Sequence, residues 1–208
     1  VLRGLIFDLD NTLVDSGLDF DAMRCEMGLP QGLAILEAIA RLPPDQAQRS
    51  REILHRRELE GAQRATLLPG VAQLLAELRR RGLHQAIATR NSRSVTEATL
   101  HRLGIEIELV LTRDCGPIKP DPWPVLHACQ RWGLAPAEVA VIGDYRFDIE
   151  CGRAAGAKTV LLTHAASPHE HPNHEGADLV LSSLADYPQL LAWIASAAAR
   201  AIPSSSRT

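Results

Sequence analysis

In the stretch Gly4-Leu5-Ile6-Phe7-Asp8-Leu9-Asp10-Asn11-Thr12-Leu13 an apolar run leads straight into a carboxylate, and a second carboxylate follows two places later. An uninterrupted run of this kind reads as a strand buried on both faces. Side chains at i and i+2 of an extended chain point the same way, so Asp8 and Asp10 converge while Leu9 faces oppositely. Two ionised acids at the exit of a buried strand are costly unless something cationic compensates them, because each raises the other's pKa. An oxygen-seeking dication such as Mg²⁺ is the natural partner. A strand end followed by a plain Asp-Asn turn would look the same in isolation, so the rest of the chain decides.

Downstream, Val14-Asp15-Ser16-Gly17 is a polar exit, and the pattern then turns helical. Segments at about 18–28, 31–42 and 45–64 carry apolar residues at helical spacing, broken by Gly28-Leu29-Pro30 and Pro43-Pro44-Asp45. No strand signal interrupts them, so they form a small all-helical insert. A clear amphipathic helix, Val71 to Arg81, follows and stops at Gly82. From there strands (84–88, 107–111, 139–142, 158–162, 178–181) alternate with helices (93–103, 121–132, 147–155, 185–200). Alternation of this kind implies right-handed crossovers and a parallel sheet covered on both faces. The expected fold class is therefore α/β: a Rossmann-like three-layer sandwich with a mainly parallel sheet plus the helical insert. Residues 1–16 and 69–202 are assigned to the core, 17–68 to the insert, and 203–208 to a disordered tail.

Composition narrows the partners. The chain has 208 residues, 46% hydrophobic and 23% charged, with a net charge of −3 spread along the sequence. That suits a globular protein with a sizeable core and leaves no polybasic footprint for nucleic acid or an acidic membrane. No stretch approaches the roughly 18 apolar residues of a membrane span, and no signal peptide is visible, so a soluble, cytoplasmic protein is expected. Cys25, Cys115, Cys129 and Cys151 contain no C-x-x-C pair and read as small buried residues in a reducing compartment. Only Lys119 and Lys158 are lysines, which makes the place of each informative. His164, His169, His171 and His174 lie among prolines at no regular spacing and read as an exposed loop.

Sites in open parallel sheets form beyond the carboxyl ends of the strands. Those ends carry Asp8 and Asp10, then Thr89-Arg90-Asn91 before a helix, then Lys119-Pro120, then Gly143-Asp144 with Asp148. These parts suit a phosphoryl group. A carboxylate can attack phosphorus, and a neighbouring acid can protonate the leaving oxygen. A hydroxyl and helix-opening amides can bind phosphate oxygens, and a lysine adds compact positive charge.

Together, Asp8-Leu9-Asp10-Asn11-Thr12, Thr89, Lys119-Pro120 and Gly143-Asp144 with Asp148 resemble the four motifs of the haloacid dehalogenase superfamily, in its order and across residues 3–163. Residues 17–68 resemble the helical cap of its phosphoglycolate phosphatase-like and β-phosphoglucomutase-like subgroup. The resemblance implies a Mg²⁺-dependent phosphatase of small phosphomonoesters. Asp8 would be nucleophile and metal ligand; Asp10 would be general acid/base and lend its backbone carbonyl to the metal. Asp144 would be a metal ligand, and Asp148 would support the metal water or Lys119. Thr89, Arg90, Asn91 and Lys119 would surround the phosphate. Asp10 argues against dehalogenation, since dehalogenases of the superfamily lack an acid there. Tyr145 departs from the serine of many relatives. A sugar phosphomutase uses the same residues, and a catalytically silent phosphate-sensing or partner-binding domain could keep the fold. A receiver-type signalling domain fits poorly, being shorter and without an insert.

Overall fold

A computed structural model describes residues 1–164 and 176–199. In chain order the elements begin β1 (Gly4–Phe7), β2 (Val14–Asp15), α1 (Phe20–Met27), α2 (Ile35–Ala40), α3 (Pro44–Arg64), β3 (Thr66–Leu67), α4 (Val71–Arg80) and β4 (His84–Ala88). They continue α5 (Arg93–Leu103), β5 (Leu109–Leu111), α6 (Trp123–Trp132), β6 (Val139–Gly143), α7 (Arg146–Ala155), β7 (Lys158–Leu162), β8 (Leu179–Leu181) and α8 (Tyr187–Ala199). Two compact units result. Val1–Val14, Leu67–Arg90 and the chain from Glu106 onward form the first; Asp15–Thr66 with Asn91–Ile105 form the second.

The first unit is built on a six-stranded sheet in the order β5-β4-β1-β6-β7-β8. Every neighbouring pair in it is parallel. The apolar run that opens the chain is its centre: Leu5, Ile6 and Phe7 are fully buried. Ile6 packs in one core cluster with Ala86, Val125, Ala128, Trp132 and Val141. The amphipathic α4 buries Val71, Leu74, Leu75 and Leu78, as its spacing requires. Gly70 opens that helix at φ +84°, and a Cβ there would stand 2.2 Å from the Leu184 carbonyl oxygen. No other residue type tolerates both conditions.

The second unit is helical. Met23, Leu29, Ile35, Ala38, Ile39, Ala47 and Leu54 form its apolar centre. Asp19 caps α1 by accepting from the Ala22 amide at 2.9 Å. The helix expected over 31–42 is shorter, because Gly32 at φ +77° breaks its first turn and helix begins only at Ile35. Residues 91–105, assigned to the core from the sequence, group with the insert: α5 packs on α3, and the Arg102 Nε–H donates to the Gln63 carbonyl at 2.6 Å.

The strands expected at 84–88 and 158–162 and the helix at 93–103 are found with those bounds, whereas other elements differ at their ends. The helix expected from 121 starts at Trp123, since Asp121 turns back to accept the Trp123 amide at 2.8 Å. Among the described residues no helix is long and apolar enough to cross a membrane. His169, His171, His174 and the tail 203–208 lie outside the described residues.

Candidate active site

The strand order places β1 between β4 and β6, so the connections leave it in opposite directions and open a crevice at its carboxyl end. Phe7 is level with Ile87 on one side and Ile142 on the other. The next residues along, Asp8, Ala88-Thr89 and Gly143-Asp144, therefore emerge together at that edge. The Asp8 amide still donates to the Ile142 carbonyl at 2.9 Å, and the Thr89 amide to the Leu111 carbonyl at 2.9 Å, so both are held by the sheet.

After Asp8 the chain folds into a tight turn. The Leu9 carbonyl accepts from the amides of Thr12, Leu13 and Val14 at 3.3, 2.9 and 3.0 Å. Asn11 takes the left-handed conformation at φ +56°, which asparagine tolerates better than most residues. Leu9 is fully buried while Asp8 and Asp10 are only partly so, the alternation that the i, i+2 spacing implies.

Lys119 is the hub. Its ammonium donates to Asp8 Oδ1 at 2.7 Å and to Asp148 Oδ1 at 2.6 Å. The side chains of Lys119 and Asp148 are 3% and 1% exposed, against 17% for Asp8, so only the Asp8 end of the triad opens to water. The other oxygen of Asp148 accepts the Tyr145 amide at 3.2 Å at the start of α7. Gly143 makes room for this arrangement: a Cβ on it would lie 2.1 Å from Asp148 Cγ. That requirement was visible only as the Gly-Asp pair at a strand end.

Carboxylate oxygens of Asp8, Asp144 and Asp148 all lie within 4.8 Å of one another. The Asp10 carboxylate is not one of that group. Thr89 is buried beside the same edge and Arg90 is half-buried. The Arg90 guanidinium donates to the Lys119 carbonyl at 2.6 Å and lies over the Phe147 ring, 4.6 Å from its centroid. Asn91 is buried in the second unit.

Crowding leaves its mark on the titrations. Burial, then repulsion from Asp8 and Asp148, pushes Asp144 up to about 8, with Lys119 offsetting only part. Burial also lifts Asp148 to about 6 against the pull of Lys119. Burial disfavours the Lys119 ammonium more than any other single influence, yet Asp148 and Asp8 together outweigh it and raise its pKa. Three carboxylates face one ammonium, an excess of negative charge that suits a hard, oxygen-seeking dication. Asp8 and Asp144 have oxygens to offer it, whereas both oxygens of Asp148 are already engaged. Cys151, by contrast, is bonded to the Asp121 carbonyl at 3.1 Å and its thiol is pushed up to about 12 by burial, so it is inert.

Fold and site thus define an α/β protein with a metal-ready carboxylate cluster, wired to a buried lysine, at the carboxyl edge of a parallel sheet. Residues 27–162 match the haloacid dehalogenase-like hydrolase family. A haloacid dehalogenase-like hydrolase domain-containing protein of Arabidopsis thaliana is 35% identical over 173 residues, covering 77% of this chain and 71% of the relative. The N-acetylmuramic acid 6-phosphate phosphatase of Pseudomonas putida is 32% identical over 205 residues, covering 86% and 92%. A solved hydrolase from Pseudomonas syringae superposes with a TM-score of 0.78 at 26% identity, covering 92% of this chain and 99% of that one. The β-phosphoglucomutase of Clostridium difficile superposes at 0.77 with 17% identity, over 96% and 100% of the two chains, a likeness of fold alone. The chain belongs to the haloacid dehalogenase-like hydrolase family.

Proposed function

We propose that this protein is a Mg²⁺-dependent phosphatase that hydrolyses small phosphomonoesters through a phosphorylated Asp8. The observation that carries the reading is the Lys119 ammonium, withheld from water and bridging Asp8 and Asp148. It pairs with one oxygen of Asp8, whose side chain is 17% exposed and so open to an incoming phosphoryl group. Relatives named as phosphatases, including the phosphoglycolate phosphatase of Thiobacillus denitrificans, support the same chemistry.

In the first step an Asp8 oxygen forms a bond to phosphorus as the bond from phosphorus to the substrate's alcohol oxygen breaks. Asp10 gives its proton to that departing oxygen. In the second step water attacks the phosphoryl group, Asp10 takes a proton from it, and inorganic phosphate leaves with Asp8 restored. Thr89 and the Lys119 ammonium bind the transferring oxygens throughout. Asp148 does not react; it keeps Lys119 aimed. Asp8, Asp144 and the Asp10 backbone carbonyl would hold Mg²⁺, which supplies positive charge against the phosphate oxygens when bound.

The test is phosphate release from a panel of small phosphomonoesters with Mg²⁺, including N-acetylmuramic acid 6-phosphate, phosphoglycolate and p-nitrophenyl phosphate. Turnover is expected on at least one, and Asp8→Asn or EDTA is expected to abolish it. Full activity in either case rejects the mechanism.

A further inference from the structure

Arg90 follows the phosphate-binding Thr89 directly, and from the sequence it is expected to contact phosphate itself. Its geometry assigns it other work. One terminal nitrogen donates to the Lys119 main-chain carbonyl at 2.6 Å. The flat face of the same guanidinium lies on Phe147, 4.6 Å from the ring centroid. Its own carbonyl in turn accepts from Arg113 at 3.1 Å. Phe147 is the residue before Asp148, which receives the Lys119 ammonium at 2.6 Å. Arg90 therefore joins three strand-end loops: the one carrying Thr89, the one carrying Lys119, and the start of α7 carrying Asp148.

We infer that Arg90 is a positioning residue, a cross-brace that fixes Lys119 from its main-chain side while Asp148 fixes it from its ammonium side. The inference rests on the phosphatase reading for its activity assay, though not for its binding assay. The chemistry calls for arginine. A guanidinium can donate in its plane to a carbonyl while its face packs on an aromatic ring. A lysine ammonium at the same place can satisfy the carbonyl or approach the ring, but has no flat face with which to do both. Arg146 also lies over Phe147, 5.1 Å from its centroid, so the ring is gripped by two cations and its position is well determined. A Lys119 free to move by even an ångström would lose its simultaneous hold on Asp8 and Asp148, and misplacement of that size is costly to a reacting geometry.

The test is a double-mutant cycle of Arg90→Met and Lys119→Met in the full chain, with Arg90→Lys and Phe147→Leu alongside. Two quantities are read: kcat and KM on p-nitrophenyl phosphate, and the affinity for inorganic phosphate by calorimetry with Mg²⁺, which needs no turnover. Wild-type inactivity on the whole substrate panel would sink the phosphatase reading and leave the calorimetric cycle to judge Arg90. Arg90→Met is expected to lower kcat on the order of 10–100-fold, as loss of a supporting contact does. Arg90→Lys should recover part of that loss. In the Lys119→Met background, removing Arg90 should leave phosphate affinity unchanged within about twofold, because the group it positions is gone. An equal loss of affinity with and without Lys119 would mean that Arg90 holds phosphate directly and would overturn the inference. So would full activity in Arg90→Lys. Should Arg90→Met fail to fold, Phe147→Leu carries the same cycle, since it removes the ring that orients the guanidinium.

Discussion

Two charge networks of similar chemistry lie in the two units, and water separates their uses. In the first unit, Lys119 bridges Asp8 and Asp148 with side chains 3% and 1% exposed at Lys119 and Asp148. In the second, Glu26 on α1 receives Arg57 at 2.7 Å and also Arg56, and Arg57 reaches Glu60 at 3.1 Å. There the two arginines are 55% and 43% exposed. Charges in the interior are expensive to leave unpaired, so their geometry is over-determined and can be used to aim a reacting group. Charges in solvent are loosely held and replaceable. Pairs of acid and base therefore build a buried, fixed triad in one place and a solvated helix face in the other.

Breaking the buried network should give the largest effect. Lys119→Met leaves Asp148 without its ammonium, and a buried charge stripped of its partner costs about 3–5 kcal/mol. For a chain of this size that corresponds to a fall in melting temperature on the order of 10 °C. Turnover should drop by at least about a hundredfold, the usual loss when a donor to a developing charge is removed. A melt within a degree or two of wild type would show that the interior tolerates the bare carboxylate. The contrast between the two networks would then be false.

The residues of the buried network were legible in the sequence, whereas its wiring was not. Asp8, Asp144 and Lys119 stand at strand ends, and strand ends follow from apolar runs such as Leu5-Ile6-Phe7 and Val139-Ala-Val-Ile142. Which oxygen faces which nitrogen depends on register between strands far apart in the chain, so the pairing of Asp148 with Lys119, one of the two roles the resemblance implies for Asp148, is picked out only by the fold. The same holds for Gly143, whose need to be glycine is set by Asp148 folding back over it. Arg90 was expected beside the phosphate from its place after Thr89; that its guanidinium also donates to the Lys119 carbonyl had no local signal. The insert was legible as helices, because two breaks divide it into three apolar-periodic segments. The helix α5 was legible over 93–103 as well, but its grouping with the insert was not, since the Arg102 to Gln63 contact carries no local signal.

Asp178 stands between the two extremes and makes a milder test. Its carboxylate accepts Lys158 at 2.7 Å and the Thr159 amide at 2.9 Å just before β8. Burial works against ionisation there, but Lys158 and the Thr159 bonds prevail and hold its pKa below the usual 3.8. A depressed acid adds stability above its unfolded pKa and loses it as pH falls through its folded value. Asp178→Asn should therefore melt a few degrees below wild type at pH 7. The gap should close below about pH 4, where the wild-type carboxylate also loses its charge. A gap that persists unchanged to pH 3 would locate the cost in hydrogen-bond geometry and remove charge from the explanation.

The smallest effect is expected at the exposed network, and it is the one that completes the contrast. Arg57 meets the Glu26 carboxylate at 2.7 Å, and that hydrogen bond holds the Glu26 carboxyl below its ordinary range. Yet the water around Arg56 and Arg57 screens the attraction, and ordering their long side chains offsets much of what is left. Glu26→Gln should shift the melting temperature by less than about 2 °C, and the shift should shrink further in 0.5 M salt, where screening acts within roughly 4 Å. Activity should not change, because none of these side chains belongs to the Asp8–Lys119–Asp148 triad. A salt-insensitive loss comparable to that of Lys119→Met would mean that solvent exposure does not sort the two networks after all.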